Sequence, residues 1–178
     1  MLHRRAPKPK GEKTKMESIQ FRKPETVDEA VKLLQGADGD ARILAGGTDL
    51  LVQLRAHMID PGVIVDIKSI AETRELTKND DGSYTIGAAV AGAEAHERDD
   101  ITADWPGVIE AWDLIGSTQI QGRASLGGNL CNASPAGDSV PAMVAAGMTA
   151  NIAGPDGRRT LPVEKITAGP GKTNLKKG

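Results

Sequence analysis

Aromatic side chains are nearly missing from this 178-residue chain: Phe21, Tyr84, Trp105 and Trp112 make up 2% of it. The core is therefore expected to be aliphatic, and a base-stacking platform for nucleic acid is excluded. Cysteine is reduced to Cys131. One thiol closes no internal disulfide and holds no iron–sulfur cluster, and such sparing use points to a reducing, cytoplasmic setting. Cys131 itself reads as a small buried residue rather than a reactive thiol. No apolar run is long enough to span a membrane. The histidines are His3, His57 and His96, and no Ser-His-Asp set, metal-ligand cluster or paired catalytic carboxylate stands out. Self-contained acid–base, nucleophilic or metal catalysis is not expected.

Glycine, in contrast, is abundant, with 21 residues. Two glycine pairs have nearly matching surroundings: Ile43-Leu44-Ala45-Gly46-Gly47-Thr48-Asp49-Leu50 and Arg123-Ala124-Ser125-Leu126-Gly127-Gly128-Asn129-Leu130. Each pair follows apolar residues and precedes a small polar one. Glycine accepts positive φ and leaves room for a close approach. Successive N–H groups in such turns form an anion-binding concavity, and a following helix start adds its dipole. Two loops of this kind suit a ligand with two phosphates, gripped from two sides. Charge is also uneven: residues 1–15 hold Arg4, Arg5, Lys8, Lys10, Lys13 and Lys15 against Glu12, leaving an acidic body. This stretch reads as a basic, solvated, disordered leader, and Met16 opens the patterned sequence.

Thr26-Val27-Asp28-Glu29 is a capping box in which Thr26 takes the Glu29 amide and Glu29 reaches back; a helix through Gln35 follows. Residues 42–45 read as a buried strand entering the first glycine pair. Residues 49–58 read as a helix with Leu50, Leu51 and Leu54 on one side and Asp49 at its positive end. A strand over 63–67 completes an order that demands parallel pairing. Beyond it, a strand over 83–90, helices over 92–98, 105–115 and 139–146, and a hairpin pairing 149–153 with 159–163 are expected. Residues 120–130 show no clear period. The class is α+β: a small parallel α/β lobe over 16–70 and a mixed α+β lobe over 71–178, with the ligand between them.

Spacing removes two phosphate motifs. Gly171-Lys172-Thr173 ends like a P-loop, but the glycine required five residues before Gly171 is Ile166. A Rossmann fingerprint from Gly46 meets Thr48 and Leu51 where glycines belong. The combination of Ala45-Gly46-Gly47-Thr48-Asp49-Leu50-Leu51, Ala124-Ser125-Leu126-Gly127-Gly128-Asn129-Leu130, Ser134-Pro135-Ala136-Gly137-Asp138-Ser139 and Gly169-Pro170-Gly171-Lys172-Thr173 resembles the FAD-binding (medium) subunit of the molybdenum hydroxylases. That group contains the xanthine dehydrogenases and aerobic carbon monoxide dehydrogenases. The likeness covers residues 16–178.

The resemblance implies a two-lobed FAD-binding domain of the type-2, PCMH-like kind. Ile43, Leu44, Ala45, Gly46, Gly47, Thr48, Asp49 and Leu50 would wrap the pyrophosphate and adjoining ribose. Ser125, Leu126, Gly127, Gly128 and Asn129 would close on it from the second lobe. Ile115 would lie by the flavin, and Asp138 would bind FAD's polar portion. Each has a plainer alternative: Ile115 completes the apolar side of helix 105–115, and Asp138 could cap the helix that follows. Thr48 stands where some related flavin oxidases carry a histidine that anchors FAD covalently, so non-covalent FAD is expected. The molybdenum cofactor and [2Fe–2S] clusters would sit on partner subunits, an iron–sulfur and a molybdenum subunit. Electrons would pass through FAD to NAD+, quinone or O2. The family's C-terminal domain is expected to be absent. Two other readings stay open: a docking remnant without flavin, and a self-contained flavin reductase of the same broad fold.

Overall fold

The structure, a computed structural model, describes residues 19–176; the basic leader lies outside them. Three short strands form the first sheet: β1 (Gln20–Arg22), β2 (Ala41–Leu44) and β3 (Val63–Asp66). Their order is β1-β3-β2, all parallel. The central strand β3 is buried throughout, as expected for Val-Ile-Val in a parallel sheet. Helix α1 (Val27–Gln35) links β1 to β2, with Thr26 capping the Glu29 amide at 3.2 Å. The reciprocal arm is displaced by one residue, because Glu29 Oε2 takes the amide of Glu25 at 2.9 Å. Helix α2 (Leu50–Arg55) follows the first glycine pair and is shorter than its sequence pattern. Leu54 is buried, whereas Leu51 faces outward at 56% exposure. Ala30, Val63, Val65, Ile67, Ile70 and Ala89 form the first apolar cluster.

After β3 the chain turns to an antiparallel pair, β4 (Leu76–Lys78) and β5 (Tyr84–Ile86). Helices α3 (Gly92–His96), α4 (Asp99–Asp104) and α5 (Pro106–Asp113) come next. Pro106 separates α4 from α5: proline is welcome at a helix start but drives the preceding residue out of the helical region, and Trp105 sits at φ −132°, ψ 54°. Helix α4 has no apolar period and was not legible. The Trp112 indole N–H donates to the Ala124 carbonyl at 3.1 Å, fixing α5 against the second glycine segment. Helices α6 (Thr118–Gln121) and α7 (Leu126–Asn132) occupy the stretch without clear period, and α8 (Val140–Ala145) follows. The expected hairpin forms from β6 (Thr149–Gly154) and β7 (Gly157–Pro162), Thr149 facing Pro162, one residue off the expected 159–163 segment, and a small hairpin of β8 (Thr167–Gly169) and β9 (Lys172–Thr173) follows. Val90, Ile101, Trp112, Leu126, Met143 and Ile166 belong to the second and larger apolar cluster. Ala89 and Val90, adjacent in sequence, thus belong to different clusters.

Candidate FAD site

The first glycine loop leaves β2 at the sheet edge and runs into α2. Gly47 adopts φ +80°, a left-handed conformation that favours glycine. Among the described residues, no acceptor takes the N–H groups of Gly46, Gly47, Thr48 and Asp49. These residues are half-buried to exposed, and four consecutive unclaimed amides beside a cleft are a ready anion cradle. Behind the loop, Lys68 Nζ donates to the Ala45 carbonyl at 3.0 Å and to Asp66 Oδ1 at 2.7 Å. Burial alone would raise the Asp66 pKa, but the hydrogen bonds and charge of Lys68 outweigh it and hold this carboxyl below its ordinary value.

The second pair differs from its expected turn. Gly127 and Gly128 lie in the first turn of α7, with Ser125 as N-cap accepting the Gly128 amide at 3.1 Å. The amides of Leu126 and Gly127 have no acceptor among the described residues. Asn129 is oriented from behind: the fully buried Ser139 donates its hydroxyl to Asn129 Oδ1 at 2.8 Å.

The two segments meet along a seam. A Cβ on Gly46 would stand 1.9 Å from the Arg123 carbonyl oxygen, and one on Gly127 would stand 2.9 Å from Ala88 Cα. In each pair the first glycine therefore lets two protein backbones touch. A cleft of about 850 Å³ opens there, within the range of cofactor pockets. Ile43, Ala45, Gly46, Gly47, Thr48, Asp49 and Leu50 line it from one side; Ser125, Gly127, Gly128, Asn129 and Ile115 line it from the other. An adjoining cavity of about 230 Å³ shares Thr48, Asp49, Ile115, Asn129 and Asn132 and adds Gly116, Ile120, Ser134 and Ala136. Leu44 and Leu126 line neither: Leu126 is core, and Leu44 packs under Gly47. Asp138 is exposed, lines neither cavity, and does not cap α8, which has no side-chain cap. Ile115 serves both readings, being buried in the second cluster and lining both cavities.

Other placements correct expectations. Cys131 is exposed at the cleft wall rather than buried. Protein atoms still crowd its sulfur and push the thiol pKa up, which disfavours a reactive thiolate. His96 pairs with Asp113 at 2.8 Å, and neither it nor His57 lines the cleft. The β6–β7 hairpin was expected but not as a cleft wall: Gly154 to Arg159 line the cleft, and Arg158 clasps Glu72 through two hydrogen bonds. Lys68 carried no sequence signal, since its partner carbonyl is 23 residues away.

Residues 17–178 match the family described as FAD binding domain in molybdopterin dehydrogenase. The chain belongs to this family. It is 35% identical over 156 residues to the xanthine dehydrogenase FAD-binding subunit of Escherichia coli O157:H7, covering 87% of this chain and 53% of that relative. It is 30% identical over 151 residues to the carbon monoxide dehydrogenase medium chain of Hydrogenophaga pseudoflava, covering 85% and 52%. A solved structure of carbon monoxide dehydrogenase from Hydrogenophaga pseudoflava superposes with a TM-score of 0.83 at 31% identity, over 89% of this chain and 55% of that one. Quinoline 2-oxidoreductase from Pseudomonas putida 86 gives 0.81 at 26% identity, over 89% and 55%. The chain spans about half the length of these relatives. As an FAD-binding domain of the molybdopterin dehydrogenases, it has the expected α+β fold. No helix among the described residues is long and apolar enough to cross a membrane.

Proposed function

We propose that this chain is the FAD-holding part of an electron-transfer subunit in a molybdenum hydroxylase. The observation that carries the reading is the meeting of unclaimed backbone amides at residues 46–49 and at Gly127 on one cleft. A diphosphate supplies the acceptors they lack. Gly46, Gly47, Thr48 and Asp49 would hold one side of it, with the Thr48 hydroxyl at the adjoining ribose, and Ser125, Gly127, Gly128 and Asn129 the other. Ile43 and Leu50 would flank the first loop, Leu44 and Leu126 would brace the loops from behind, and Ile115 would offer an apolar wall to the flavin ring. Asp138 enters as a ligand on the family likeness alone. Thr48 follows the glycine pair, and neither described histidine lines the cleft, which supports non-covalent binding.

When bound, FAD would supply the redox chemistry, linking [2Fe–2S] clusters of a partner subunit to NAD+, quinone or O2. The chain's residues would bind and orient it. The partners in this reading are an iron–sulfur subunit and a molybdenum subunit, in the cytoplasm. The test is flavin titration of the purified chain, alone and with those subunits, followed by absorbance and fluorescence. Saturable binding released by denaturation supports the reading; flavin that stays free under both conditions overturns it.

A further inference from the structure

The side chain of Lys68 makes no contact with the cleft, yet it grips the peptide that begins the first glycine pair. Its amine donates at once to the Ala45 carbonyl and to Asp66 Oδ1, at 3.0 and 2.7 Å. Asp66 is nearly enclosed, its side chain 8% exposed, and it also accepts the Lys68 backbone amide at 3.1 Å. The lysine is therefore held through its backbone and its tip, and its reach to residue 45 is set by strand β3.

The peptide between Ala45 and Gly46 is planar and trans, so its carbonyl and its N–H point to opposite sides. A donor fixed on the Ala45 carbonyl thereby fixes the direction of the Gly46 N–H, the first of the unclaimed amides. A cation on that carbonyl also polarises the peptide and strengthens its N–H as a donor. Neutralising Asp66 does not require the bond to Ala45, so that bond needs its own account.

We propose that Lys68 is a positioning residue for the cofactor diphosphate, acting through the Ala45–Gly46 peptide rather than by touching the ligand. This rests on the FAD reading above. Lys68→Met alone leaves a buried carboxylate without its partner, which destabilises proteins by itself. The informative pair is therefore Asp66→Asn and the double variant Asp66→Asn/Lys68→Met, with Lys68→Arg as the conservative rescue. Two quantities are measured on the full chain: the FAD dissociation constant, and the 1H–15N amide shifts of residues 45–48 without ligand. Asp66→Asn keeps the tether and binds FAD within about threefold of the parent. The double variant binds about tenfold more weakly than Asp66→Asn, the scale of losing one charge-assisted hydrogen bond. Its changes in amide shift are confined to the first glycine loop, and Lys68→Arg recovers most of the affinity.

Equal FAD affinity in Asp66→Asn and the double variant overturns the proposal, as do shift changes spread over the whole chain. Should the parent itself bind no FAD, the cofactor reading fails instead, and the Gly46 amide shift still decides the tether: an unchanged shift in the double variant removes it.

Discussion

Residues 45–49 hang from an edge strand of a parallel sheet, whereas residues 125–129 open a helix packed in the larger apolar cluster. The first segment is irregular, with Gly47 at φ +80° and no side-chain cap at Asp49. The second is regular, with Ser125 capping Gly128. The same dipeptide thus solves two backbone problems. What the segments share is the position of the first glycine, against the Arg123 carbonyl in one case and Ala88 in the other. Close backbone packing demands these glycines before any ligand arrives, and the cleft opens beside it.

The largest expected effect comes from prising that seam apart. In Gly46→Ala the new methyl meets backbone rather than a flexible side chain, so the main chain must move. Stability falls by about 1–3 kcal/mol, the scale of overpacking, and FAD affinity falls by at least tenfold, about one lost charge-assisted hydrogen bond. Gly127→Ala does the same more mildly, since its contact is 2.9 Å rather than 1.9 Å. Thermal melts and flavin titration together check the order. Equal melting temperatures for Gly46→Ala and its parent contradict the seam.

Next comes the cap of the second segment. Ser125→Ala removes the acceptor for the Gly128 amide and costs about 1 kcal/mol of stability. Because the first loop has no such cap, Asp49→Ala costs less than half as much. Denaturant midpoints for the two variants give the contrast directly.

Much of the architecture was legible because it rests on local signals. The Thr26 cap, the Val-Ile-Val strand and the turn between Gly154 and Gly157 each declare themselves within a few residues. Strand β1 and the β8–β9 hairpin did not, being only three and two to three residues long. The second glycine pair resembled the first in sequence but sits in a helix, since Ser125 starts one there and nothing in Leu126-Gly127-Gly128-Asn129 forbids it. The seam is invisible in sequence: a glycine needed against Arg123 looks the same as one needed against a phosphate.

A smaller contrast is electrostatic. The support of the first loop is the ion pair of Asp66 and Lys68, while that of the second consists of the neutral hydroxyls Ser125 and Ser139. Asp66 has a folded pKa below its unfolded value. Its contribution is therefore complete above the unfolded pKa and is lost as pH falls through the folded one. On acidification below the ordinary aspartate range, the 1H–15N amide shifts of residues 45–48 should move before those of residues 126–129. The reverse order contradicts the assignment.

The smallest effect is expected at Asp138, where the two segments are again compared through their neighbours. Asp138 is exposed and outside both cavities, so removing its carboxylate belongs with ordinary surface changes, within about 0.5 kcal/mol of stability. Its neighbour Ser139, however, is fully buried and tied to Asn129 of the cleft wall. A ligand that drew residues 134–138 toward the smaller cavity would need no break in that tie. Asp138→Ala therefore separates two states of the second segment. If FAD affinity changes by less than about twofold, the segment stays as it is and Asp138 is a surface residue. A loss of about 1–3 kcal/mol, the scale of a charged hydrogen bond, with stability unchanged, means that the ligand closes this segment over itself, which the first loop, pinned by Lys68, does not do.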